Sequence, residues 1–519
     1  MKKLSFLIAF CFICSLSIAQ NGPVGIFQNH ADIGKPKIPG SSRYDAESQT
    51  YYIKGAGANI WFNRDEFHYL YNQIKGDFIL TANFQFIGDK GDPHRKIGWM
   101  VRETADESSA SMNAVVHGDG LTVLQWRAMK GAFMRDPQDE IFYPKKVQFQ
   151  VVQLERQGKK MTMRVANWGE PLQEVGSHEL PDMPDAVLAG LFVSSHDPEA
   201  IAEAKVWNVR IDKPVPPAYH PNPVVQKTLN TRQGVVGCRL ETMTIADGKR
   251  KVILESTGRF EAPNWMPDGR KLLFNQDGAL YTIPIGGGTP EKLNTGEVAG
   301  INNDHGISFD NKTLAISANG AKGGSYIYVL PLSGGTPKLI TKENPSYWHG
   351  WAPNNKEVVF VAQRNGSKVY NIYAADINTH AEKALTTNTS GHVDGPEYSP
   401  DGKYIYYNAN PTGTMQIWRM KPDGTAKEQL TFDENNNWFP HISPDGKWIA
   451  YIAFLPDIDP DSHPSYQKVS LKLMPVSGGA PRVIAYLYGG QGTINVNSWS
   501  PDSKSIAFVS NSEKAEPKK

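Results

Sequence analysis

Apolar and polar residues alternate along this chain with two different rhythms. Between residues 22 and 213, runs such as SQTYYIKG, GDFILTANFQF, IGWMVRE, GLTVLQWRA, KMTMRVAN and AVLAGLFVSS change character at nearly every position. A period of two puts alternate side chains on opposite faces of a strand, and the 3.6-residue period of a helix is almost absent. The expectation for this half is an all-β sandwich.

From Glu261 onward the strands acquire a longer repeat. Its copies are EAPNWMPDGRKLLF from Glu261, NDHGISFDNKTLAIS from Asn303, YWHGWAPNNKEVVFV from Tyr347, DGPEYSPDGKYIYY from Asp394, WFPHISPDGKWIAY from Trp438 and NVNSWSPDSKSIAFV from Asn495. The turn residues Asp268, Asp310, Asn354, Asp401, Asp445 and Asp502 are separated by 42, 44, 47, 44 and 57 positions, the period of propeller blades. In the copies a strand enters, Pro presets φ in all but the second, Asp-Gly or a related Asp or Asn turn reverses the chain and an alternating apolar strand leaves. Two further strands follow, giving four antiparallel strands per unit. The last copy supplies only two, and CRLETMTIA and KRKVILES ahead of the first copy supply the others. The predicted fold is a six-bladed β-propeller closed by strands from both ends of the domain.

The SPDGK turn, the GGTP tail and this spacing resemble the TolB-type propeller repeats of secreted bacterial proteins over about three fifths of the chain. That resemblance implies fold rather than activity, since the class includes binding platforms, peptidase gates and lyases. In the first half, GAGANIWFNRDEFHYLYNQIKGDFILTANFQF with KIGWMVRE and AGLFVSSH resembles concanavalin- or laminin-G-like jelly-roll sandwiches of secreted carbohydrate-active proteins. It implies glycan contact through Trp61, Asp65, Glu66, His68 and Tyr69, expected as an exposed polar-aromatic cluster; the alternative is that Trp61 and Tyr69 pack under a loop.

The segment boundaries follow. Residues 1–19, with Lys2, Lys3 and a short apolar run ending at Ala19, read as a signal peptide cleaved after Ala19, so the mature protein is expected in the periplasm or outside the cell, with no membrane insertion. Residues 20–213 form the sandwich, 214–228 a Pro-rich linker, 229–511 the propeller and 512–519 a charged tail. Cys238 is the one cysteine outside the signal segment, which leaves no partner for an intrachain disulfide. Lys and Arg number 54 against 53 Asp and Glu, and without a basic stripe nucleic acid is not an expected partner.

Residues just before each turn face the propeller axis, so candidates can be counted back from the turn Asp. Five back stand Pro263, His305, His349, Pro396, Pro440 and Asn497; seven back stand Glu261, Asn303, Tyr347, Asp394, Trp438 and Asn495. The funnel set is Asn303, Asp304, His305, Trp348, His349, Asp394, Asn437, Trp438, His441, Gln491, Asn495 and Asn497, with His392 beside it. Amides, imidazoles and a carboxylate suit hydroxyl-rich or carboxylate-bearing ligands. His305, His349 and His441 are candidate ligands for a divalent metal, although no cofactor is required; a water-filled polar channel is the alternative. The LPDIDPDSHPSYQK stretch lacks the Gly and Glu of a calcium loop and is expected as a solvated insertion. No G-x-S-x-G elbow or phosphate loop occurs.

Three functions remain open. The first is a binding protein whose funnel engages a glycan fragment or an envelope protein. The second is an oligosaccharide-active enzyme, a metal-assisted lyase or hydrolase, and the third is an envelope scaffold similar to TolB.

Overall fold

The structure, a computed structural model, describes residues 22–215, 235–320 and 323–514. The stretch expected to be a signal peptide and most of that expected to be a linker lie outside them. Among the described residues there is no helix, and so none long and apolar enough to cross a membrane.

The first half is built from two seven-stranded antiparallel sheets. Leu70, Trp99 and Leu191 from one sheet meet Leu80, Leu154 and Met163 from the other in a shared buried core. The cluster expected to be exposed here is mostly interior. Asp65 is fully buried under a bidentate clamp from Arg127, with both N–O distances 2.6 Å. His68 is 2% exposed and fixed between Asp32 Oδ1 at 2.7 Å and Ser42 Oγ at 2.9 Å. Tyr69 is fully buried and donates to the Met100 carbonyl. Only Trp61 and Glu66 are partly exposed. Paired charges and hydrogen-bonded rings satisfy themselves in this core, so their residue types do not signal a surface.

The second half is the six-bladed propeller. Five blades are four-stranded sheets whose innermost strands are Phe260–Trp265, Ile301–Ile307, Ser346–Trp351, Val393–Tyr398 and Asn436–Ile442. The sixth joins Ser505–Lys514 to Val235–Thr244 and Arg250–Ser256, with the inner position held by a single bridge from Trp499 to Ile506. Pairing runs on through Lys514, into the stretch expected as a charged tail. The turn chemistry recurs: Ser443 Oγ donates to Asp445 at 2.6 Å, Asp445 accepts the Lys447 N–H, and Gly446 takes φ +70°. The Ser399–Asp401 and Ser500–Asp502 pairs repeat it.

The two halves are docked edge to edge. Glu241, fully buried, receives Arg210 from the sandwich at 2.5 Å, and Arg250 at 2.7 Å and Ser510 at 2.6 Å from the propeller. Burial would push its carboxyl up, but the two guanidiniums hold it well below the usual carboxylate range. Arg239 pairs with Asp212 at 2.5 Å, and Lys468 with Glu155 at 3.0 Å. Desolvated pairs of this kind fix an orientation because breaking one strands a charge.

Candidate functional site

Inner strands carry the site, and each of these five has an irregularity in its pairing, for example between Asp394 and Glu397 and between Trp438 and His441. A bulge leaves one residue unpaired and turns the next side chain. The left-handed backbone at Ala262, Gly395 and Phe439 marks the same level of three blades.

At the mouth, Asp394 is the hub. Its Oδ1 lies 2.8 Å from His349 Nε2, while His392 and His463 stand 3.6 Å and 3.7 Å from Oδ2. Burial alone would raise its carboxyl, but His349 and His392 pull it well below its ordinary value. For His349, burial lowers and Asp394 raises, and the carboxylate wins. His463 goes the other way, since burial outweighs Asp394 and lowers it. Asp304 shares this site without a hydrogen bond to its carboxyl group among the described residues; burial raises it to about 7, with Asp394 and Glu261 adding to the shift. Trp438 and Phe439 pack against His463 with ring centres 4.4 Å and 5.1 Å away. Half-buried Tyr370 lies beside His392, and half-buried Tyr347 lies beside Tyr370.

A second layer lies nearer the turns. Glu397 takes His441 Nδ1 at 2.8 Å, the Ile442 N–H at 2.9 Å and Asn497 Nδ2 at 2.7 Å. His441 Nε2 donates to the Ile494 carbonyl at 2.8 Å, so both ring nitrogens are engaged. This layer borders a cavity of about 330 Å³, lined among others by Trp348, His349, Glu397 and Asn497.

Relatives support the architecture of this half. The family described as PD40, the TolB beta propeller domain, matches residues 349–457. An uncharacterized protein of Agrobacterium fabrum is 43% identical over 290 residues, which are 55% of this chain and 97% of that protein. The solved structure of a TolB-like protein from Agrobacterium tumefaciens is also 43% identical, with a TM-score of 0.51, covering 54% of this chain and 99% of that one. The chain belongs to the TolB-like β-propeller family. The Tol-Pal system protein TolB of Francisella tularensis is 26% identical over 227 residues, 41% of this chain, and the match spans about half of its length.

Within this TolB-like ring the counted-back candidates separate. Asp304, His349 and Asp394 do converge. His305 does not join them: it is fully buried, neither ring nitrogen makes a well-formed hydrogen bond, and burial lowers it to about 4. Asn437 is also fully buried and spends its amide on Gln416, Thr431 and Asp433. Asn303 is 6% exposed, Trp438 forms a wall beneath His463, and Asn495 donates to Gln491 at 3.0 Å. His441 and Asn497 belong to the second layer. Counting back assumes one register for all blades, and the bulges break it.

Two important residues escaped the count. Glu397 lies three beyond Asp394 on the same strand. His463 comes from the stretch expected to be a solvated insertion, which is instead folded over the mouth: Asn436 Nδ2 donates to the Ile458 carbonyl at 2.9 Å and Asn410 Nδ2 to Asp461 at 2.6 Å. The 57-residue gap and a His within it were the available signal. As for a metal, the donor types around Asp394 suit one, yet among the described residues no three His, Cys, Asp or Glu side chains converge as a coordinating group. His441 has both nitrogens committed.

Proposed function

We propose that this protein is a secreted or periplasmic binding protein whose propeller mouth holds a hydroxyl-rich ligand, a glycan fragment. The observation that carries the reading is the Asp394 hub, where one carboxylate is faced by His349, His392 and His463 beside the half-buried Tyr347 and Tyr370. Imidazoles and phenols both give and take hydrogen bonds, a carboxylate accepts them, and aromatic faces cover the apolar side of a sugar ring. In this reading the N-terminal half is a concanavalin-like sandwich in a supporting role. The name of the Francisella relatives, Tol-Pal system proteins, makes an envelope protein the other partner class, and an envelope scaffold role is compatible with it.

A second reading, an enzyme acting on oligosaccharides, draws on Asp304. A buried carboxyl near 7 beside His349, which Asp394 shifts upward, is the kind of group that moves protons at neutral pH.

A glycan array followed by calorimetry on the hits tests the proposal. Binding that disappears in His392→Ala is the expected result. No binding to any neutral or acidic glycan, with capture of an envelope protein instead, overturns it. Release of product from a bound oligosaccharide favours the enzyme.

A further inference from the structure

Next to the mouth, the sandwich and the propeller enclose a groove of about 910 Å³. This volume is at the upper end of the ~300–1,000 Å³ usual for ligand sites. One wall is the sandwich strand Val151–Gln157, which contributes Glu155 and Gln157; the opposite wall holds Arg259, Tyr488, His463 and Gln491. His463 and Gln491 also belong to the mouth, since His463 faces Asp394 and Gln491 accepts from Asn495. The groove therefore continues from the mouth without a break in its lining.

Apart from Asp461, which accepts from the Asn410 amide, its fixed charges are internally matched. Lys468 and Arg164 satisfy Glu155, and Glu261 satisfies Arg259. What remains to meet a ligand is mainly amide and hydroxyl: Gln157, Gln491, Ser462 and Ser465. The groove persists because the buried Glu241 network and the Lys468–Glu155 pair hold the domains in one orientation.

We infer that the mouth and the groove form one composite site for a linear, hydroxyl-rich oligomer, one end at Asp394 and its continuation between the domains along Gln157. This rests on the glycan reading of the mouth. It gives the sandwich a task in selecting ligand length, through contacts at the domain boundary rather than a separate lectin site.

The test is calorimetric titration of oligosaccharide ladders, from disaccharide upward, against the intact chain and against Gln157→Trp, which fills the groove and leaves the mouth untouched. Affinity of the unaltered protein should rise by about tenfold or more from the shortest to the longer members. Gln157→Trp should bind the shortest member equally well and lose that gain. A ladder with no length dependence, or a gain that survives in Gln157→Trp, overturns the composite site while the mouth reading stands. Failure of every member to bind the unaltered protein removes both.

Discussion

Asp394 and Glu397 lie three residues apart on one inner strand and stitch the fourth blade to both of its neighbours, the first through His349 of the third blade and the second through His441 of the fifth. The axis is therefore held by two carboxylate–imidazole pairs at different depths. Only the one at the mouth is surrounded by further polar groups without fixed partners.

The His349–Asp394 pair makes stability depend on pH. The raised His349 contributes stability that is complete below its ordinary value near 6.5 and is lost as pH rises through its folded value. The depressed Asp394 contributes above its ordinary value of 3.8 and loses that contribution as pH falls through its folded value. The pair thus stabilises most between about pH 4 and 6.5. Asp394→Asn should cost about 3–5 kcal/mol in that window and less under alkaline conditions, measured by urea unfolding across pH.

Asp304 works in the opposite sense. Its folded value near 7 means the folded state retains a proton that the unfolded chain releases from about pH 4 upward. Its contribution to stability falls as pH rises through that interval. Asp304→Asn should match the unaltered protein near pH 4 and exceed it at pH 8 by up to about 4 kcal/mol. Thermal melts at the two pH values decide this, and equal melting shifts at both would refute it.

Removing the charge of Glu241 should undock the domains. Glu241→Gln leaves Arg210 and Arg250 facing each other without a counter-charge, at a cost of about 3–5 kcal/mol. Small-angle scattering should show a larger radius of gyration, and proteolysis should separate two folded halves. An unchanged scattering profile would mean that apolar contacts alone hold the interface.

His463→Ala should separate ligand binding from folding. The side chain is partly exposed and makes ring contacts with Trp438 and Phe439, so the stability loss should stay near 1 kcal/mol. Glycan affinity should fall by about tenfold. Wild-type affinity in this variant would place the ligand away from the insertion.

The blades were legible because SPDG turns are local chemistry: Ser, Asp and Gly act within five residues, and a fixed period follows. Ring closure was legible too, since the last repeat lacks two strands that CRLETMTIA and KRKVILES can supply. The site was only half legible. His349 and Asp394 could be counted from the turn, whereas His305, at the same offset, is buried elsewhere because its strand changes register between Ile301 and His305. Nothing local in HPSY marks His463 as a mouth residue, because its position is set by amides of Asn410 and Asn436 on other segments. Asp65, His68 and Tyr69 misled for the same reason, their partners Arg127, Asp32 and Met100 being distant in the chain.

The composite sixth blade also sets an order of events during synthesis. Ser510, which completes the shell around Glu241, sits on a strand that leaves the ribosome after every other strand of the ring. The sandwich can form while translation continues, but the surface it docks against is finished only by that late strand. Locking the two halves together therefore waits for the last strand of the ring, and a nascent chain stalled before residue 505 should hold a folded sandwich beside an open, unlocked ring.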